Sequence, residues 1–193
     1  YTTSSTYGVT DDDGSFEFYL NDTIEFSLGD TTLGSVNSEE LFFYDPLSSS
    51  TFSLGTSIPN EEFNTALITP LIITPEAEYE DDHRVINKLI FLQTLDINGN
   101  PDDGIDIPEL ISSEINHWNI DFNLSVDEFS TSSFASIVNY LNELEVFTDN
   151  YPRQLTDKID ALLHFKIIRP SLPHIGQFYQ YGPDSYHIYW RFD

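Results

Sequence analysis

The sequence predicts an α+β fold with an N-terminal antiparallel β module, a helical middle and a C-terminal β-hairpin. Three observations predict it. Apolar residues alternate with period two in the first third, repeat with helical period between residues 83 and 165, and return to an aromatic-rich extended pattern around a Gly-Pro-Asp-Ser turn near the end.

The alternating runs begin at Ser15 and at Thr23, and Gly8, the cluster from Asp11 to Gly14, Asn21–Asp22 and Gly29–Asp30 punctuate them as turns. Residues 48–60 are rich in Ser and Thr, include Pro59, and read as a loop. Asp81 and Asp82 then supply a cap for a helix over residues 83–95, with Val85, Ile86, Leu89, Ile90 and Leu92 on its apolar face. An Asp/Asn/Gly-rich loop follows at 96–106, and Pro108 opens a short helix through Ile115. Residues 130–146 form an amphipathic helix with Phe134, Ile137, Val138, Leu141 and Leu144 on one side. Thr156 caps a further helix through Phe165 that carries Ile159, Leu162 and Leu163. Gly182 to Ser185 is the expected turn of the C-terminal hairpin. The order places a β-rich module at 1–75 and a helical region with the acidic loop and the hairpin at 76–193, either as two units or as one continuous domain.

Composition bounds the function. Of 193 residues, 33 are acidic and 7 basic, for a formal net charge of -26. Such a chain repels nucleic-acid phosphates and anionic bilayers, which excludes nucleic acid as a default partner. Aromatic residues make up 15% of the chain, enough to build a core despite the charge. Self-repulsion on this scale is relieved by divalent cations, salt or a basic partner, and it also serves simply as a solubility device. With no Cys there is neither a disulfide nor a thiolate site, which is compatible with a secreted bacterial protein. The start at Tyr1 and the absence of Met suggest a trimmed, mature chain. No apolar run nears the ~20 residues that a membrane helix needs, so membrane insertion is not expected.

The clearest chemical feature is the loop. Asp96, Asn98, Asn100, Asp102, Asp103 and Asp106 place oxygen-bearing side chains within one short segment, and Gly99 and Gly104 let the backbone wrap. Calcium takes about 6–8 oxygen ligands, which makes these six residues the candidate metal ligands and calcium the expected cofactor. The spacing departs from an EF-hand: Pro101 stands where the invariant glycine would be, and Ile107 where the bidentate glutamate would be. The other reading is a solvated turn that needs no ion. The cluster from Asp11 to Gly14 reads first as a turn and second as an ion site, and the acidic run from Glu76 to Asp82 as a solvated loop. The five histidines are scattered without an i, i+4 pair.

No nucleophile elbow, phosphate loop or zinc-helix motif occurs, and no pair of carboxylates stands out among so many, so the expected protein is not an enzyme, with a hydrolase as the remote alternative. The aromatic-dense C-terminus offers a carbohydrate-binding alternative through Tyr186, Tyr189 and Trp190, set against plain packing of the hairpin on the helices. Trp118 reads as core or loop packing.

Segments 1–5, 8–16, 24–34, 68–71 and 87–105 resemble a module of secreted and lipid-anchored surface proteins of marine gammaproteobacteria. Of these, the leucine-rich stretch from Asn87 running straight into the acidic loop is the most specific. The first half is similar to carboxypeptidase-regulatory-like or Cna-B-like β modules. The resemblance implies export and a calcium-friendly surface role, and it supplies no activity. In such modules a further β segment precedes the Tyr-Thr-Thr stretch. Its absence would leave an open sheet edge that invites a strand from another copy. The expectation is therefore an extracellular or cell-surface, bacterial, calcium-binding structural protein of β-sandwich type. Its partners would be itself, as a homo-oligomer or filament, or other surface proteins and glycans.

Overall fold

The computed structural model describes residues 1–10, 16–19, 21–45, 50–53, 65–66, 68–149, 152–171, 179–180 and 185–188, with backbone alone for 42–45, 50–53, 65–66, 166–171, 179–180 and 185–188. The chain is mixed α and β. Strands β1 (Phe16–Tyr19), β2 (Thr23–Leu28), β3 (Thr31–Asn37), β4 (Phe42–Asp45), β5 (Ser50–Ser53) and β6 (Thr65–Ala66) come first. Helices α1 (His83–Leu95), α2 (Glu109–Ile115), α3 (Val126–Ser130), α4 (Ser133–Glu143) and α5 (Lys158–Ser171) follow, then the short strands β7 (Tyr179–Gln180) and β8 (Ser185–Ile188). The strands form three small sheets, ordered β1-β8-β7, β2-β3 and β5-β4-β6. The expected turn around Gly182 lies outside the described residues, as does the cluster from Asp11 to Gly14.

The chain divides into two compact units. One comprises Tyr1–Phe26, Gly34–Pro75 and Arg169–Arg191; the other comprises Ser27–Leu33, Glu76–Ile168 and Phe192–Asp193.

In the β-rich unit the alternation read from sequence has its physical counterpart. Phe16 and Phe18 of β1 are buried while Glu17 and Tyr19 are exposed, and Ile24 and Phe26 of β2 are buried likewise. Phe16 packs edge-on against Phe26 at 5.1 Å and touches Tyr1 and Phe18, an arrangement that suits aromatic quadrupoles. Asp22 is buried at the turn before β2, where one carboxylate oxygen accepts from the Tyr19 amide (2.9 Å) and the other from the Ser5 hydroxyl (2.9 Å). Thr2 pairs with Glu25 of β2 through two backbone bonds of 2.9 and 2.8 Å. Within the segment expected to be a loop, residues 50–53 instead form β5, with Phe52 opposite Phe43 of β4. Pairing with a neighbouring strand overrides a Ser/Thr-rich composition that by itself signals a turn.

In the helical unit, α1 starts where a carboxylate caps it. The Asp82 side chain accepts from the Arg84 amide (2.9 Å) and pairs with its guanidinium at 3.0 and 2.7 Å. That pairing pulls the Asp82 carboxyl down from the ordinary 3.8 to about 2. A depressed acid stabilises the fold above its unfolded value, and the contribution fades as pH falls through the folded one. The stability gap between the wild type and Asp82→Asn is therefore expected to hold at neutral pH and to close between pH 3.8 and about 2, read from urea unfolding across that range.

The core of this unit is aromatic. Phe91 meets Phe122 edge-on (5.3 Å) and Phe134 at 5.1 Å, and Phe129 stacks on Phe134 at 5.3 Å. From α4, Phe134, Ile137, Val138 and Leu141 are buried as the helical period requires, whereas Leu144 is exposed past the helix end. Asn87, fully buried on α1, donates to the carbonyls of Phe122 (3.0 Å) and Leu124 (2.8 Å) and so fixes the segment leading into α3. Gly29 in the β2–β3 turn has φ +55°, and a Cβ there would fall 1.8 Å from Asn116 Oδ1, which accepts the Asp30 amide at 2.9 Å. Only glycine satisfies both the left-handed backbone and that close approach.

Candidate functional site

The loop after α1 is a web of hydrogen bonds that starts at a buried carboxylate. Asp96, the residue that ends α1, is fully buried. One of its oxygens accepts from the Asn100 amide (2.9 Å) and the other from the Asp106 amide (3.0 Å). Burial pushes its carboxyl up, against the opposing pull of those two N–H groups and of Arg153. The Ile97 amide donates to the Asp106 carbonyl (2.8 Å) and closes the loop at its neck. The short 3₁₀ turn Pro101–Asp103 brings the chain around.

Asn98, Asn100 and Asp103 converge. Asn98 Oδ1 accepts the Asn100 amide at 2.7 Å, and its Nδ2 lies 3.3 Å from both oxygens of Asp103. Asn100 Nδ2 donates to Asp103 at 3.0 Å. The structure thus brings Asp96, Asn98, Asn100 and Asp103 into one web. Asp106 joins through its backbone alone, and its side chain is exposed. Asp102 belongs to a different contact. Its Oδ1 lies 3.4 Å from His164 Nε2 of α5, without hydrogen-bond geometry.

The residue that sequence reading missed is Arg153. Its side chain is buried in a chain with only seven basic residues. Nη1 donates to the carbonyls of Thr94 (3.0 Å) and Asp96 (2.6 Å), Nη2 to the Ile97 carbonyl (3.4 Å) and to Asp149 (2.8 Å), and Nε to Asp149 (3.2 Å). All five N–H donors of the guanidinium are used. They satisfy carbonyls left over at the C-terminus of α1, where a cation also suits the helix dipole. Arg153 further stacks 4.4 Å over the Phe147 ring, and its backbone is gripped by Asn142 at 2.6 and 2.9 Å. Gly99, at φ +69°, lies so close that a Cβ would be 2.9 Å from Arg153 Nη2. Beside the loop a cleft of about 380 Å³ is lined by Gln93, Arg153, Thr156, Asp160 and His164, among others.

The donor set, carboxylates and carboxamides, has the chemistry of a hard-cation site. An ionised carboxylate offers roughly four lone-pair sites, and Asp96 spends two on N–H donors. The bonds from Asn98 and Asn100 to Asp103 are exchangeable by side-chain rotation. In the structure both carboxamides turn their nitrogens toward Asp103, and Asn98 Oδ1 is taken by the Asn100 amide. Among the described residues no group of three or more His, Asp or Glu side chains forms a metal cluster, and none of the helices described is long and apolar enough to cross a membrane.

Of the aromatic candidates, Tyr186 is described in backbone alone, and Tyr189 and Trp190 lie outside the described residues. Trp118 is half-buried against Tyr140, with ring centroids 6.4 Å apart. No protein-family model matches the chain, and neither does any curated protein or solved structure.

Proposed function

We propose that this chain is an extracellular or cell-surface structural and interaction protein whose loop at 96–106 holds calcium, and that copies associate through an edge of the β-rich unit. The observation that carries the calcium reading is the convergence of Asn98, Asn100 and Asp103 beside the buried Asp96. Asp96, Asn98, Asn100 and Asp103 are the first ligands in this reading, with Asp106 and Asp102 at its margin. The ion's part is structural: it offsets carboxylate repulsion in a chain of net charge -26 and ties the end of α1 to the loop. No catalytic residue is assigned. Association is supported by the small size of the β2-β3 sheet, which, among the described residues, the N-terminal segment meets at one bridge, between Thr2 and Glu25.

Calorimetric titration of calcium into the EGTA-treated chain tests the reading, with particle size followed by light scattering. Saturable binding that disappears in Asp103→Asn is the expected result, and the absence of saturable heat in the wild type overturns it. A size that rises with calcium supports association, whereas a strict monomer with and without the ion removes that part of the proposal.

A further inference from the structure

The geometry assigns a self-modification site to Asn98, where the Gly99 backbone nitrogen converts the side-chain carboxamide into a carboxylate. This inference stands apart from the calcium reading and needs no ion. Asn98 is the one asparagine of the chain followed by glycine, and it is exposed. A glycine neighbour puts no side chain in the way of attack, and a Cβ at position 99 would fall 2.9 Å from Arg153 Nη2. Asn98 Oδ1 accepts the Asn100 amide at 2.7 Å. That bond closes a ring through Gly99 and draws electron density from the side-chain carbonyl carbon. The departing nitrogen, Nδ2, is held by Asp103 at 3.3 Å.

The step balances with water as the only co-reactant. Hydroxide takes the Gly99 N–H proton, and that nitrogen must release its long 3.3 Å bond to the Asp96 carbonyl. A bond forms from the Gly99 nitrogen to Asn98 Cγ, and the Cγ–Nδ2 bond breaks. Nδ2 leaves as ammonia with a proton from water. Water then opens the five-membered imide at either carbonyl carbon, giving aspartate or isoaspartate, and no electrons are transferred. The neighbouring Asn100 is barred from the same route because Pro101 has no N–H. The product carboxylate faces Asp103, so two hydrogen bonds are replaced by like-charge repulsion.

The test is peptide mass spectrometry of the full chain held at neutral pH for several weeks, beside the same chain in guanidinium chloride. In the folded chain the peptide bearing Asn98 is expected to gain the mass of a carboxamide-to-carboxylate change before any other asparagine peptide. It should split into aspartyl and isoaspartyl forms, and Asn98→Gln should retain its carboxamide over the same period. A folded chain that keeps Asn98 intact while the guanidinium-treated chain loses it would show that the loop protects the residue, and would overturn the inference.

Discussion

Arg153→Ala is expected to destabilise the helical unit by about 3 kcal/mol, the upper end of the range for a buried acceptor stripped of its donor. The reason is the set of acceptors it serves, of which the buried Thr94 carbonyl depends on it most. The Ile97 carbonyl keeps the Thr148 amide and hydroxyl (3.0 and 3.1 Å), and the Asp96 carbonyl keeps a long 3.3 Å bond from Gly99. The carbonyls of Thr94, Asp96 and Ile97 and the Asp149 carboxylate all accept from this one guanidinium. A buried acceptor left without a donor carries its desolvation penalty in full. Arg153→Lys retains the charge but offers three donors in place of five and no planar fork, so only a minor part of the loss should be recovered. Asp149 is a third exposed and can turn to water, so Asp149→Asn should cost about 1 kcal/mol. Urea unfolding followed by far-ultraviolet circular dichroism distinguishes the three. A loss in Arg153→Ala no larger than in Asp149→Asn would mean that the carbonyls do not depend on the guanidinium.

The second large effect lies in the aromatic core. Phe91 is fully buried and touches both Phe122 and Phe134, so Phe91→Ala opens a cavity among rings that cannot close around it. Truncations of this kind cost about 3–5 kcal/mol. Phe91→Leu should recover much of that, because most of the volume and apolar area returns. Leu110→Ala, at an exposed position on α2, serves as the comparison and should change stability by less than about 0.5 kcal/mol.

What the sequence makes legible follows from how local each signal is. The bounds of α1 are readable because a cap residue and an apolar repeat lie within the helix itself, and Asp82 and Leu95 mark them. Helix α3 went unread because five residues are too few to show a period, although its capping box between Ser125 and Glu128 is a signal that could have found it. On α5 the cap comes from Asp157, which accepts the Ile159 amide at 2.7 Å, while Thr156 is drawn to Thr94. The buried face there is Ala161 and Phe165, with Ile159 60% and Leu163 51% exposed. A small residue at a close approach reads as neutral in a hydrophobic pattern, and that displaced the expected face.

The candidate site divides in the same way. The convergence of Asn98, Asn100 and Asp103 is a property of one short segment and is suggested by its composition. Two things are not legible. Asp102 and Asp103 are adjacent and chemically identical, and only the 3₁₀ turn decides that one faces the loop and the other His164. Arg153 reaches carbonyls 56 to 59 residues away in sequence, and no local spacing encodes such a contact. Gly99 is explained by both: its left-handed backbone belongs to the loop, and its missing Cβ makes room for the guanidinium.

The central claim is that the loop at 96–106 holds a calcium ion in the folded chain, and thermal unfolding with EGTA and then with excess calcium tests it most directly. An ion that binds only the native state raises stability by mass action, about 2.7 kcal/mol at a free concentration 100 times Kd. The account predicts a clear rise in the wild-type midpoint and none in Asn98→Ala/Asp103→Ala, whose substitutions fall on exposed side chains of the converging set. An equal midpoint in EGTA and in calcium for the wild type would contradict it, and would leave the loop as a turn held by its own hydrogen bonds and by Arg153.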